Sequence, residues 1–334
     1  MRRLKILTWH IHGSYLNTLA RLDHDWYLPV RAGRPEGYGG RGPTFNLPSH
    51  VREVAAEDVK SLDLDLIIYQ TPTNFYEDGP TILSRAQRRL PAIYLEHNTP
   101  KPDAVGTRHP LDDHDVLLVH VTHYNRLMWD NHDLATTVIE HSVAVDPSLR
   151  YRGALARGFT AMNGMQGRPR ISGLDVFLSV REQVPLGVAG MQTEDLGGYG
   201  DLPYSELHRL MADHRFMFSP ARYTSLPLAV IEAMTIGMPV IALATTELPT
   251  VVENGVSGYV SCDIDFLVER MRELLYDADA AARMGRNARE VALTRFGLPR
   301  FIRDWSAAFE TVLGSSARTI TRPAVPAHAI EDRP

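Results

Sequence analysis

One carboxylate occurs inside a stretch of sequence that is otherwise almost entirely apolar. Glu232 belongs to residues 225–242, and Thr224, Ser225 and Pro227 precede it. Ser or Thr followed by Pro is typical of a helix start, whose free backbone N–H groups and partial positive charge suit a phosphate. A carboxylate inside such a helix needs a partner. That partner would be either a neighbouring arginine or a bound ligand.

Two arginines form a second candidate site. Arg168 and Arg170 lie in the turn between a predicted strand, residues 159–162, and a predicted helix, residues 174–183. An arginine can hold two phosphate oxygens at once. In an open α/β sheet, ligands bind at such strand-to-helix turns. The pair therefore indicates an anion site, and the alternative is two solvated loop arginines.

The N-terminal half offers two further turns. Gly13 and Ser14 follow the first predicted strand, residues 4–9, and His97 follows the strand predicted at residues 92–95. A glycine at a strand-to-helix turn lets the backbone approach a ligand closely. The glycine therefore makes the first of these turns a candidate for ligand contact.

Metal ligation is disfavoured by the sequence. The histidines that follow His97 include His120 and His123, which fall on alternate faces of a predicted strand, and no cysteine lies near them. Three Asp-x-Asp sequences coincide with predicted element starts, where aspartate is an ordinary cap. We therefore expect no metal site.

Short apolar runs that alternate with helical patterns must position these residues. In the first half, strands are predicted at 4–9, 65–69, 92–95, 116–121 and 137–140, and a helix at 15–22. In the second half, strands are predicted at 159–162, 186–189, 216–218 and 240–242, and helices at 174–183, 204–213, 228–236, 266–276, 278–294 and 300–313. This alternation is typical of parallel sheets buried on both faces. It predicts an α/β protein with two doubly wound domains, one in residues 1–150 and one in residues 151–298.

Composition narrows the class further. The 334 residues carry a net charge of −5, which disfavours generic nucleic-acid binding, and the single cysteine, Cys262, cannot form an internal disulfide. No apolar run is long enough to span a membrane, and the N-terminal run stops at His10, short of a secretory signal. We expect a cytoplasmic protein with a disordered tail at residues 315–334, which contain three prolines and no apolar period.

The motifs resemble those of the retaining glycosyltransferases of family 4. The resemblance rests on residues 225–242, on residues 245–260 and on the closing helices at residues 288–309. It implies a GT-B fold, in which two Rossmann-like domains face each other across a cleft. The N-terminal domain would hold the acceptor and be joined by a C-terminal helix at about 299–314, and the C-terminal domain would hold a nucleotide-sugar donor.

The resemblance also assigns site residues. Glu232 would bind the donor's ribose hydroxyls, and Gly13, Ser14, Ser225 and Leu226 would contact the sugar or the phosphates. His97 matches the family's histidine near the donor sugar.

The sequence departs from the family pattern at several positions, and the following departures affect the assignment of charged site residues. Thr224 stands where the family has its first glutamate, so Glu247 is the candidate replacement for that acid. Ser172 stands in the place of the family's lysine, and Gly167 stands in the place of its arginine. Arg168 and Arg170 would then neutralise the diphosphate.

The expected activity is therefore that of a retaining hexosyltransferase that needs neither metal nor cofactor. Its acceptor would be a carbohydrate, a lipid-linked molecule or another small molecule, with a peripheral membrane contact in the lipid-linked case. The alternatives are a non-catalytic sugar-nucleotide binding protein and a GT-B epimerase or phosphorylase.

Overall fold

The computed structural model of the protein describes residues 2–315. The N-terminal sheet has seven strands, β1 (Lys5–Thr8), β2 (Asp25–Val30), β3 (Val51–Ala55), β4 (Leu66–Tyr69), β5 (Ala92–Glu96), β6 (Val116–His120) and β7 (Thr136–Val138). The C-terminal sheet has five, β8 (Leu155–Ala161), β9 (Leu186–Ala189), β10 (His214–Ser219), β11 (Val240–Leu243) and β12 (Gly258–Ser261). Apart from residue 315, the predicted disordered tail lies outside the described residues.

Both sheets are parallel and doubly wound. The N-terminal order is β3-β2-β1-β4-β5-β6-β7, and the C-terminal order is β12-β11-β10-β8-β9. The strand order reverses beside β1 in the first sheet and beside β8 in the second. In such sheets, ligands bind beyond the carboxyl ends of the strands at the reversal.

Ten α-helices occur within the described residues. They are α1 (Gly13–Leu19), α2 (Gly79–Ile82), α3 (His123–Met128), α4 (Pro169–Ser172), α5 (Leu174–Arg181), α6 (Tyr204–Asp213), α7 (Leu228–Ile236), α8 (Ile264–Tyr276), α9 (Ala278–Arg295) and α10 (Leu298–Ser315). Helix α7 ends at Gly237, whose φ of 102° is a conformation that favours glycine. Within this part of the chain, no helix combines the length and the apolar character that a membrane crossing requires.

Successive residues of the central strands pack on opposite faces of each sheet. Ile6 and Leu7 on β1 belong to two different apolar clusters, as do Met217 and Phe218 on β10. This is the two-residue period of a strand covered on both faces. Each sheet is therefore held from both sides, which fixes the turns at its carboxyl edge.

Helix α10 follows the C-terminal domain in sequence but packs on the N-terminal one. Phe301, Trp305 and Phe309 are fully buried in the same cluster as Ile6. Trp305 Nε1 also donates a hydrogen bond of 3.2 Å to the hydroxyl of Tyr15 on α1. The end of the described chain thus completes the core of the domain that begins it.

Candidate functional site

Two adjoining cavities lie in the cleft between the carboxyl edges of the two sheets. The inner cavity, of about 280 Å³, is lined by His12, His97, Lys101 and His141 of the N-terminal domain and by Arg168 and residues 223–229 of the C-terminal domain. The outer cavity, of about 550 Å³, is lined by Gly13, Ser14, Gly190, Tyr204 and Glu232, among others. Both share a wall that includes His12, Met162 and Leu228. The topology therefore places a continuous space where an α/β ligand is expected.

Glu232 is buried at the boundary between the two domains. Its Oε1 atom accepts hydrogen bonds from Ser14 Oγ at 3.0 Å and from the Tyr204 hydroxyl at 2.7 Å. Its Oε2 atom lies 3.5 Å from His208 Nε2. The partners of Glu232 are thus two hydroxyls and an imidazole, and the Ser14 hydroxyl comes from the opposite domain. The neighbouring arginine that the sequence offered as an alternative partner is not among them.

The Glu232 carboxyl is held in its charged form. Burial by itself opposes ionisation, but His208 and the hydroxyl donors Tyr204 and Ser14 outweigh it, so the pKa of Glu232 lies below its ordinary value. A buried carboxylate that already accepts hydrogen bonds from hydroxyls can accept them from a ligand's hydroxyls as well.

The two arginines of the sequence analysis point in different directions. Arg168 lines the inner cavity. Arg170 is 76% exposed, does not line the cavity, and forms an ion pair of 2.8 Å with Asp175. Arg222 also binds Asp175 through both terminal nitrogens, and this contact lowers the pKa of Asp175 to about 2. The structure thus does not bring Arg170 to Arg168 at the inner cavity, because the charge of Arg170 is paired with Asp175 outside it.

Ser172, at the position of the family's lysine, is tied to its own turn. Its hydroxyl donates to the carbonyl oxygens of Met165 at 2.9 Å and Arg168 at 2.8 Å. The C-terminal domain therefore offers Arg168 as its cation in the inner cavity. Lys101 reaches the same cavity from the N-terminal domain, a position that the sequence analysis did not single out. Its place shortly after β5 was the available signal.

Three neutral histidines line the inner cavity. His97 Nε2 is 3.0 Å from Gln70 Oε1, and the rings of His97 and His12 stack edge to face at 4.2 Å. Burial lowers the pKa of His12 to about 4 and that of His141 to about 3, and it holds the pKa of His97 well below its ordinary value. Both ring nitrogens of buried His141 lack a hydrogen-bond partner. His141 is thus a cavity residue whose role the sequence analysis did not single out.

The histidines do not assemble a metal centre. Within residues 2–315, no group of three or more His, Cys, Asp or Glu side chains is placed to hold a metal ion. His97 and His12 are instead neutral polar groups facing the cavity.

Thr224, Ser225 and Leu226 line the inner cavity just before α7. Neither hydroxyl caps this helix, contrary to expectation: Pro227 is the N-cap and no side chain accepts from the first turn. The Ser225 hydroxyl is buried and without a partner. The first turn of α7 and Ser225 therefore keep hydrogen-bonding capacity for a ligand.

Glu247 does not line either cavity. Its side chain is buried, and its oxygens accept hydrogen bonds from the backbone N–H of Tyr124 at 2.7 Å, from Thr250 Oγ1 at 2.9 Å and from Arg295 at 3.1 Å. The structure thus places Glu247 outside the cavity in which it was expected to replace the missing acid. Its contacts instead connect α3 of the N-terminal domain to α9.

Gly13 opens α1 at the outer cavity, and a side chain there would collide with a neighbour. A Cβ atom on Gly13 would lie 2.5 Å from the ring of Phe45. A side chain at residue 13 would therefore require the Phe45 ring to move, and the next residue, Ser14, reaches Glu232.

Comparisons with known proteins agree with this architecture. Residues 193–291 match the family model of Glycosyl transferases group 1. No curated protein matches the chain in sequence.

Solved structures extend the likeness to nearly the whole chain. Sucrose-phosphate synthase from Thermosynechococcus elongatus has a TM-score of 0.70 at 15% identity, over 94% of this chain and 100% of that one. HepE from Anabaena, in complex with UDP-glucose, has a TM-score of 0.68 at 15% identity, over 92% and 100%. A glycosyltransferase from Rickettsia africae has a TM-score of 0.66 at 12% identity, over 94% and 99%. The expectation of an α/β protein with the GT-B fold is thereby confirmed.

Proposed function

We propose that the protein transfers a sugar from a nucleoside-diphosphate donor to an acceptor, as a retaining enzyme of glycosyltransferase family 4. The observation that carries this proposal is the pair of adjoining cavities, with the Glu232 carboxylate in the outer one and Arg168 in the inner one. The match of residues 193–291 to Glycosyl transferases group 1 supports it. So does the fold shared with HepE, which was solved in complex with UDP-glucose.

The donor would lie along both cavities. Its nucleoside occupies the outer cavity with the ribose hydroxyls on Glu232, and Gly13 and Ser14 lie alongside. The diphosphate then meets Arg168 and the first turn of α7. The sugar enters the inner cavity, among His97, Thr224, Ser225 and Leu226.

Catalysis would depend on stabilising the departing diphosphate. Arg168 and the backbone N–H groups before α7 are aimed at the place where negative charge develops. The acceptor attacks from the side of the N-terminal domain, and a phosphate oxygen of the leaving group takes its proton. Neutral His97 supplies a hydrogen bond to the sugar without adding charge. A hexose is the sugar class we propose.

A sugar-nucleotide binding protein without transferase activity is the second candidate. One observation favours it: among the described residues, no carboxylate lines the inner cavity, and the family's first glutamate is Thr224. An epimerase or phosphorylase of the same fold is a third reading, without a specific observation in its favour.

The decisive experiment separates binding from transfer. Purified protein is screened by thermal shift against UDP-, GDP-, ADP- and dTDP-hexoses, and the best donor is followed by mass spectrometry with saccharide, lipid-linked and small-molecule acceptors. Transfer, or slow release of nucleoside diphosphate into water without acceptor, supports the enzyme. Anomeric NMR of the product tests retention. Donor binding with neither transfer nor hydrolysis supports the binding protein.

Metal and cofactor independence is part of the proposal. Because Arg168 and the helix start would carry the diphosphate charge, we expect turnover in excess EDTA to stay within about twofold of the untreated rate. The control is the same assay with added Mg²⁺. Full loss with EDTA and recovery with a divalent ion contradicts the proposal.

We also propose that the protein acts in the cytoplasm and does not bind nucleic acid.

Arg168 and Arg170 provide a matched pair of variants. Arg168→Met is expected to weaken UDP binding ~10- to 100-fold, because it removes charge-assisted hydrogen bonds to phosphate. Arg170→Met should leave it within about twofold, since Arg170 is paired with Asp175. Isothermal titration calorimetry measures both. Equal losses in the two variants would contradict the assignment.

A further inference from the structure

We infer that Lys101 of the N-terminal domain supplies the second cation for the donor's diphosphate, so that the phosphate site is divided between the two domains. This inference rests on the proposed function, and it places a cation on the opposite side of the cleft from the loop that the sequence suggested.

The first step is the supply of cations in the cleft. Among the described residues, Arg168 and Lys101 are the lysine and arginine side chains that line the inner cavity. Arg170 and Arg222 are both paired with Asp175. Ser172 donates its hydroxyl to backbone carbonyls and carries no charge. A diphosphate that meets Arg168 therefore finds its next positive side chain across the cleft.

The second step is the position of Lys101. The preceding residue, Pro100, accepts a hydrogen bond of 3.2 Å from the hydroxyl of Tyr223, which lies just before the start of α7. The carbonyl of Asn98 accepts from Trp129 Nε1 at 2.8 Å and from Asn125 Nδ2 at 3.1 Å. These contacts hold the segment from both sides. They keep Lys101 at the inner cavity, which the residues before α7 also line.

Within residues 2–315, Lys101 has no carboxylate opposite it in the lining of the inner cavity. Glu96, five residues before Lys101, is engaged by His109 at 3.1 Å and by the backbone N–H of Asn98 at 2.7 Å, and its charge opposes the lowering of the Lys101 pKa without lining the cavity. Burial, and after it the charge of Arg168, lower the pKa of Lys101. Two cations that disfavour each other across an open cavity gain most from an anion that lies between them.

Binding of a diphosphate should consequently be coupled to the relative arrangement of the two domains. Arg168 belongs to the C-terminal domain and Lys101 to the N-terminal one, so an anion held by both links the domains. The nucleoside does not reach Lys101, because it lies in the outer cavity. Lys101 should therefore affect ligands with a diphosphate and not those without one.

The test compares UDP with uridine by isothermal titration calorimetry, using the wild type and three variants. Lys101→Met is expected to weaken UDP ~10- to 100-fold and to leave uridine within about twofold. Lys101→Arg, which keeps the charge, should stay within about threefold for both ligands. Lys60→Met is the matched control, since Lys60 is an exposed lysine of the same domain outside both cavities, and should leave both affinities unchanged.

The outcomes separate this inference from the proposed function. If Lys101→Met leaves UDP unchanged, or weakens UDP and uridine equally, while Arg168→Met still weakens UDP, the inference fails and the function stands. If the wild type binds none of UDP, GDP, ADP and dTDP, both fail. Loss of UDP affinity that Lys101→Arg restores supports the divided phosphate site.

Discussion

Glu232→Ala is expected to weaken UDP binding by about 2–4 kcal/mol, roughly 30- to 1,000-fold, because the variant loses charge-assisted hydrogen bonds to two ribose hydroxyls. The carboxylate is buried and ionised, and it accepts hydrogen bonds from Ser14 and Tyr204. Isothermal titration calorimetry with UDP and uridine measures the effect. Both ligands should lose the same free energy, since both carry the ribose.

Two controls separate binding from folding. Glu232→Ala also leaves the Tyr204 and Ser14 hydroxyls without their acceptor, so its melting temperature should fall, and Glu232→Gln keeps the shape and one acceptor oxygen. Glu290→Gln, at an exposed glutamate on α9, should change neither quantity. A folded Glu232→Ala protein with unchanged UDP affinity would remove Glu232 from the site.

Arg295→Met is expected to lower the free energy of unfolding by about 2–4 kcal/mol, because it leaves a buried carboxylate without its cation. Arg295 contacts Glu140 Oε1 through Nε at 2.9 Å and through Nη2 at 2.6 Å, and Nη2 also lies 3.1 Å from Glu247 Oε1. The Glu247 side chain is only 2% exposed. Urea denaturation followed by circular dichroism measures the change.

The matched control for this prediction is Arg286→Met, an exposed arginine on the same helix, which should stay within about 0.5 kcal/mol of the wild type. Glu247→Gln in the Arg295→Met background should recover part of the loss, since the unpaired charge is then gone. An Arg295→Met protein as stable as the wild type would show that the Glu140 and Glu247 carboxylates do not need this cation.

The elements that sequence reasoning located best have strong local signals. Helices α6 and α7 were predicted with the bounds that the structure shows, because α6 has a clear amphipathic pattern and turn residues flank the apolar α7. Strands β2, β3 and β12 were missed. Pro29 interrupts the pattern of β2, and Arg52 and Glu53 expose the middle of β3, which is an edge strand. Their positions follow from the sheet and not from their own composition.

The residues of the candidate site also differ in how far the sequence alone identifies them. Glu232 was identifiable because an acid in an apolar helix is conspicuous. Lys101 was not, because its importance depends on a cavity whose other wall is formed by Arg168. In the sequence alone, Arg170 and Glu247 look as suitable for binding a ligand as Arg168 and Glu232 do. Their partners, Asp175 and Arg295, become visible only in the folded chain.

The return of helix α10 to the N-terminal domain has a consequence for how the protein is made. A ribosome synthesises the chain from its N-terminus. The seven strands of the first sheet therefore emerge before Phe301, Trp305 and Phe309 have been made. Until translation reaches them, the part of their apolar cluster that α10 covers remains exposed. The nascent N-terminal half is therefore a natural client for chaperones, and a recombinant fragment that stops after residue 150 should be insoluble unless a peptide spanning α10 is supplied with it.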